Sequence, residues 1–111
     1  MTTIFGKIIK GEIPAEKVFE NDRILAIKDI NPAAPVHILI MPKKEIHDLN
    51  ALKKEDLALI GEIITVAQSL AQQFGIADGY RLLTNNGPSA GQSIFHLHFH
   101  LIGGRRLGPL A

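Results

Sequence analysis

Three histidines stand at every second position in His96-Leu97-His98-Phe99-His100, and two more, His37 and His47, lie elsewhere in the chain. Side chains of a strand alternate between its faces, so this spacing predicts three imidazoles on one face, about 6.6 Å apart, with Leu97, Phe99 and Leu101 turned toward a core. Three roles fit such a row. It can be the polar face of an ordinary solvated strand. It can supply metal ligands, but zinc needs every nitrogen within about 2.0–2.1 Å, and the outer histidines of a straight strand diverge. Two of them together with His37 form the workable metal set. Or the row can act on phosphorus. Neutral imidazole is both a nucleophile and a proton carrier near pH 7, and attack by His98 would give a nucleotidyl-imidazole for water to hydrolyse. Thr, Lys or Glu would solvate a strand face equally well, so strict alternation of histidines points to chemistry.

The loop before the row, Gly87-Pro88-Ser89-Ala90-Gly91-Gln92-Ser93, has glycines and small residues that let backbone amides approach an anion closely. Phosphoryl transfer depends mostly on positioning and on neutralising phosphate oxygens, which imidazoles and amides can do. Asp29 is a second polar candidate, since a carboxylate can accept two hydrogen bonds from the vicinal diol of a ribose. Before Asn31-Pro32 it is equally an ordinary turn former.

The elements that must position these groups follow from periodicity. Apolar Ile4, Phe5, Ile8 and Ile9 predict a short helix over Ile4 to Ile13, ended by Pro14. Lys17 to Glu20 and Ile24 to Lys28 read as a hairpin about Asn21-Asp22-Arg23, and His37 to Pro42 as a buried strand. One long helix is predicted from about Lys54 to Phe74, with Leu57, Ile60, Ile64, Ala67, Leu70, Ala71 and Phe74 on its inner stripe and Gly75 ending it. Gly61 within it suggests close approach of another backbone. Tyr80 to Asn85 and Ile94 to Ile102 read as the last strands, and Gly103 to Ala111 as an irregular, mobile tail from about 104. Strands, a long helix and more strands predict an α+β domain with a largely antiparallel sheet, in one unit over residues 1–111.

Composition narrows the function classes. Twelve Lys and Arg against eleven Asp and Glu leave a formal charge of +1, too little for a protein that coats nucleic acid. With no cysteine there is no disulfide, thiolate zinc site or thiol nucleophile. The stretch Met1 to Lys7 lacks the charged start and apolar run of a signal peptide, and no segment approaches 18 apolar residues, so no membrane association and a cytoplasmic location are expected.

The motifs together closely resemble the histidine triad (HIT) family and, within it, the nucleotide-binding (HINT) branch. The family signature His-x-His-x-His is matched from His96 to Ile102. The branch resemblance adds Ile4-Phe5-Gly6-Lys7-Ile8-Ile9 with Glu12-Ile13-Pro14, Asp29 to His37, Pro42-Lys43-Lys44, Gly79-Tyr80-Arg81, Gly91 to His96 and Gly103-Gly104-Arg105. It implies a metal-independent purine nucleoside phosphoramidase with no cofactor, built as a homodimer whose sheets join across the interface. In its terms His98 is the nucleophile, His100 contacts the phosphate and assists proton transfer, His96 orients the nucleophile, and His37 stands beside the triad. Ser93 lies near the leaving amine, while Asn85, Gly91 and Gln92 line the phosphate site. Asp29 holds the ribose, with Ile30 against the base, and Phe5, Ile8, Phe19 and Ile27 form an apolar slot for it. Ile27 departs from the branch, where an aromatic is common, and the chain ends without the tryptophan of animal members. The relatives that carry Gln as the last motif residue do not fit, because Ile102 follows Leu101. A non-catalytic nucleotide-sensing protein and a dinucleoside polyphosphate hydrolase are the alternative functions.

Overall fold

Asn21 makes the first hairpin. Its carboxamide oxygen accepts from the amides of Arg23 (2.9 Å) and Ile24 (2.8 Å), turning the chain between β1 (Lys17–Glu20) and β2 (Ile24–Lys28). The computed structural model in which this is seen describes residues 3–111; Met1 and Thr2, part of the amino-terminal stretch discussed above, lie outside the described residues. The hairpin continues into β3 (Val36–Pro42), and a five-stranded antiparallel sheet is completed by β4 (Tyr80–Leu83) and β5 (Phe99–Gly103) in the order β1-β2-β3-β5-β4. The last strand therefore lies inside the sheet, between β3 and β4. That places the residues leading into it beside the end of β3.

Both faces of the sheet are covered. Helix α2 (Leu57–Gln73) packs Ile63, Val66, Ala67, Leu70 and Ala71 on Ile24, Ala26, Ile38, Ile40 and Leu101. The short α1 (Ile4–Ile9) lays Phe5 and Ile8 on the opposite face, over Leu25, Ile27, Leu39 and Met41. Each fully buried Ile or Leu contributes about 1.5–3 kcal/mol, so both layers hold the sheet firmly. The α+β architecture expected from the sequence, with one long and one short helix on an antiparallel sheet, is the one observed.

Several boundaries move, each for a local reason. Helix α1 is capped by Thr3, whose hydroxyl accepts from the Gly6 amide at 3.0 Å, and it stops at Ile9 rather than Ile13, because Gly11 takes φ +80°. Residues 54–56 form a separate 3-10 turn ahead of α2, held by buried Asp56, which accepts from the Lys53 amide (3.0 Å) and pairs with Lys44. The inner stripe of α2 is rotated from the one expected, for Leu57 and Ile64 are exposed while Ile63 and Val66 are buried. The helix is apolar on two faces, which periodicity alone cannot rank. Gly61 has open space where a Cβ would sit, so no backbone closes on it among the described residues. Strand β4 ends at Leu83, and β5 begins only at Phe99, so Ile94 to His98 lie outside the sheet. No helix among the described residues is long and apolar enough to cross a membrane.

Candidate active site

The triad does not sit on one straight strand. Only His100 belongs to β5, where it pairs with Leu39 on one side and Leu83 on the other. The ladder fails just before it because the next partners along β3 lead to Pro42, which has no N–H to donate. The chain bends there. His96 becomes fully buried and its Nε2–H donates to the Pro42 carbonyl at 2.7 Å, standing in for the missing rung. Leu97 remains buried, as alternation predicts, and its amide donates to the Ile46 carbonyl at 2.7 Å.

The hydrogen bonds fix the proton on each ring. The backbone N–H of Ala33 donates to His37 Nδ1 at 2.9 Å, so neutral His37 carries its proton on Nε2. That Nε2 lies 2.9 Å from His100 Nδ1 and 3.4 Å from an Asp29 carboxylate oxygen. His100 therefore accepts on Nδ1 and keeps its own proton on Nε2. His98 Nδ1–H donates to the His96 carbonyl at 2.8 Å, which leaves the Nε2 lone pair of His98 unshared. The His98 and His100 rings lie 5.1 Å apart, and the Phe5 ring meets His98 edge-on at 4.9 Å. One nucleophilic lone pair and one N–H donor thus stand side by side.

Electrostatics favour the uncharged form of the three triad rings. Burial pushes the His96 and His98 imidazoles below their ordinary value. Burial, and then the neighbouring His98 and His37, lower His100 to about 4. At pH 7 His100 is a hydrogen-bond donor without charge.

Asp29, His37 and His100 bring ligand atoms close enough to suggest a metal. The donor set does not fit one. A metal on His37 Nε2 would require that nitrogen's lone pair, whereas the Ala33 amide already occupies Nδ1 and holds the ring proton on Nε2. His96 and His98 are not among the residues whose ligand atoms converge there.

The remaining expected residues divide. Asp29 joins the cluster, one oxygen near His37 and the other accepting from the Asn31 amide at 2.7 Å, so it is both turn former and site residue. Ile30 beside it is 90% exposed, an unusual position for an isoleucine. Gly91 takes φ +102°, and a Cβ there would meet the Asn85 amide group at 3.5 Å, which places Asn85 against the loop. The loop is not the open set of amides expected from its glycines. Ala90, Gly91 and Gln92 direct their N–H groups to the Gly87 and Pro88 carbonyls in a 3-10 turn. Nor is the buried Gln92 side chain available to a ligand, for it accepts from the Gly87 amide and donates to the His47 and Ile94 carbonyls. Ser93 is exposed and engages neither amide nor hydroxyl among the described residues.

Phe5, Ile8 and Ile27 share one buried layer beneath His98, a packed floor rather than an open slot. Phe19 is not with them. A bulge in β1 between Lys17 and Phe19 turns it to the α2 face, where it lines an open groove with Gly61, Glu62 and Val66. A cavity of about 220 Å³ adjoins Asp29 and His37, but its other walls, among them Val36, Ile38 and Phe74, belong to the α2 side of the sheet. Sequence reasoning passed over Thr84 and Ala33. Neither type marks a site; the Ala33 role lies in its amide, to which a sequence is blind.

A bent row of neutral histidines leading into an inner strand of the sheet, backed by a fourth histidine and a carboxylate, defines a histidine-triad protein. The HIT domain profile matches residues 10–107, and the chain belongs to the HIT family. It is 52% identical over 109 residues to a HIT-like protein of Chlamydia pneumoniae, an alignment spanning 98% of this chain and 99% of that protein. Its fold superposes on a HIT family hydrolase from Clostridium thermocellum with a TM-score of 0.94, at 47% identity, covering 98% and 96% of the two chains. A histidine triad nucleotide-binding protein from Candida albicans gives 0.82 at 32% identity, covering 99% and 86%.

Proposed function

We propose that this HIT-family chain, hydrolase in type as its solved relative is named, cleaves the P–N bond of a purine nucleoside 5′-phosphoramidate through a nucleotidyl-His98 intermediate. The observation that carries the reading is the Nδ1–H of His98 bonded to the His96 carbonyl, which leaves Nε2 as a neutral nucleophile. In the first step Nε2 bonds to the α-phosphorus and the P–N bond breaks, the leaving nitrogen taking up one proton. In the second, water attacks phosphorus, the N–P bond to His98 breaks, and water's proton is released. The two proton transfers balance, and the products are a nucleoside monophosphate and an amine.

His100, uncharged, donates its Nε2–H to a phosphate oxygen, and His37 holds it in that tautomer. Ser93 offers its hydroxyl to the leaving amine and Asn85 its amide to the phosphate. Asp29 receives the ribose diol, and Ile30 covers the base. The name of the Candida albicans relative supports a nucleotide ligand, and the residue matches to the HINT branch support a purine. A homodimer belongs to this reading, with the exposed Leu57 and Ile64 of α2 as apolar surface to be covered.

The test is release of adenosine monophosphate from adenosine 5′-phosphoramidate in a strong chelator, wild type against His98→Ala. Turnover that survives chelation and vanishes in the variant is expected. Turnover that needs metal would overturn the covalent reading, and none in either protein, with nucleotide still bound, would make this a sensing protein. Sedimentation as a single 12.1 kDa species would remove the dimer.

A further inference from the structure

His98 stands just outside the sheet ladder. The last rungs beside it are Phe99 with Ile40 on β3 and His100 with Leu83 on β4; beyond them neither neighbour continues the ladder. In that register Leu97 would face Pro42, which cannot donate, and β4 has already ended. The peptide between His98 and Phe99 is thus held by the ladder only on its Phe99 side, and the His98 carbonyl has no strand partner. The vacant position is filled by a side chain. Thr84, the first residue after β4, donates its hydroxyl to the His98 carbonyl at 2.6 Å, and both residues are half-buried. Among the described residues no other side chain hydrogen-bonds the backbone of 97–99.

The geometry points to Thr84 as the positioning residue for His98, a role that rests on His98 being the nucleophile of the proposed reaction. The His98 ring is tied at Nδ1 to the His96 carbonyl at 2.8 Å, two residues back and outside the ladder, in a peptide whose Leu97 amide donates to the Ile46 carbonyl. The tie holds the ring only as well as the chain from His96 to His98 is held. The Thr84 hydroxyl is the strut that holds the carbonyl side of the 98–99 peptide, opposite the Phe99 rung with Ile40. Without it the half-buried carbonyl loses its partner, the peptide samples other orientations, and the Nδ1–H to carbonyl bond is broken part of the time. The other ring tautomer, with its proton on Nε2, then becomes populated and is not a nucleophile. A misplacement of even about 1 Å can cost on the order of a hundredfold in rate. One lost hydrogen bond, worth about 1 kcal/mol net, sets the population effect nearer five- to tenfold.

Two measurements test this. Thr84→Val keeps the shape and strand propensity of the side chain and removes only the hydroxyl; Thr84→Ser restores it. For hydrolysis of adenosine 5′-phosphoramidate, kcat of Thr84→Val should fall about tenfold with KM moving less than twofold, and Thr84→Ser should return kcat to within about twofold of wild type. Nitrogen NMR of the imidazoles in the free protein should show His98 wholly as the Nδ1–H tautomer in wild type and Thr84→Ser, and as a mixture in Thr84→Val. An unchanged tautomer in Thr84→Val, or a kcat loss that Thr84→Ser does not rescue, would overturn the role. The NMR arm needs no turnover. It therefore decides whether Thr84 holds His98 even where His98→Ala retains activity and the phosphoramidase reading itself fails.

Discussion

Acid should destabilise this protein through His100 before it protonates the carboxylates. The native ring takes its proton only at about 4, because it is buried beside His98 and His37, whereas an unfolded chain binds the same proton near 6.5. The unfolded state therefore holds more protons between those values. Stability from keeping His100 neutral is complete above about pH 6.5 and is lost as pH falls toward 4. At 1.36 kcal/mol per pH unit the gap corresponds to about 3 kcal/mol, and solvent reaching the half-buried ring reduces it to about 2. The perturbation is His100→Asn, whose amide oxygen can accept from His37 in place of Nδ1 but cannot titrate. Urea unfolding followed by far-ultraviolet circular dichroism, the chain having no tryptophan, should be run at pH 7, 6, 5 and 4.5. The wild type should lose about 2 kcal/mol more than the variant across that range. Contributions from His96 and His98, lowered in the same direction, are present in both proteins and cancel in the difference. Parallel curves for the two proteins would refute the claim that packing holds His100 neutral.

Gln92→Ala leaves the Gly87 amide and two carbonyls without partners inside the protein, so a loss of about 2–3 kcal/mol is expected, near 10 °C in Tm for a chain of this length. A Tm within 2 °C of wild type would mean that the amide is not the clamp of the 87–92 loop. Phe5→Leu and Phe19→Leu should each cost about 1 kcal/mol in stability. Only Phe5 touches His98, so assayed well below both midpoints, turnover should fall severalfold in Phe5→Leu and stay at wild-type level in Phe19→Leu. Equal losses in the two would place Phe19 back at the site.

The parts of the fold that a sequence can announce are those set by period and punctuation. The hairpin turn at Asn21-Asp22-Arg23 and the Gly75 end of the long helix fall where expected, since each depends on a side chain or a glycine acting on its own neighbours. The inner stripe of α2 was out of reach, because Ile60, Ile63 and Ile64 offer two apolar faces and the sheet chooses between them. Phe19, placed in the base slot by the family resemblance, packs on the α2 side of the sheet instead. A bulge shifts alternation by one residue, and nothing in Lys17-Val18-Phe19-Glu20 marks the bulge.

The histidine row shows where the strand rule itself gives way, and the consequence is chemical. Alternation on a straight strand predicts three equivalent imidazoles on one face. Pro42, fifty-five residues from Leu97 in sequence but across from it in register, cuts the ladder short and makes the three rings unlike one another. His96 is buried and bonded to Pro42, His98 is turned to bond the His96 carbonyl, and His100 alone remains in the sheet, where His37 reaches it. A straight strand would have left His98 Nδ1 without that intrachain acceptor, and its two tautomers would compete. The break in the strand therefore sets the proton on the proposed nucleophile, and the same break creates the need for the Thr84 hydroxyl.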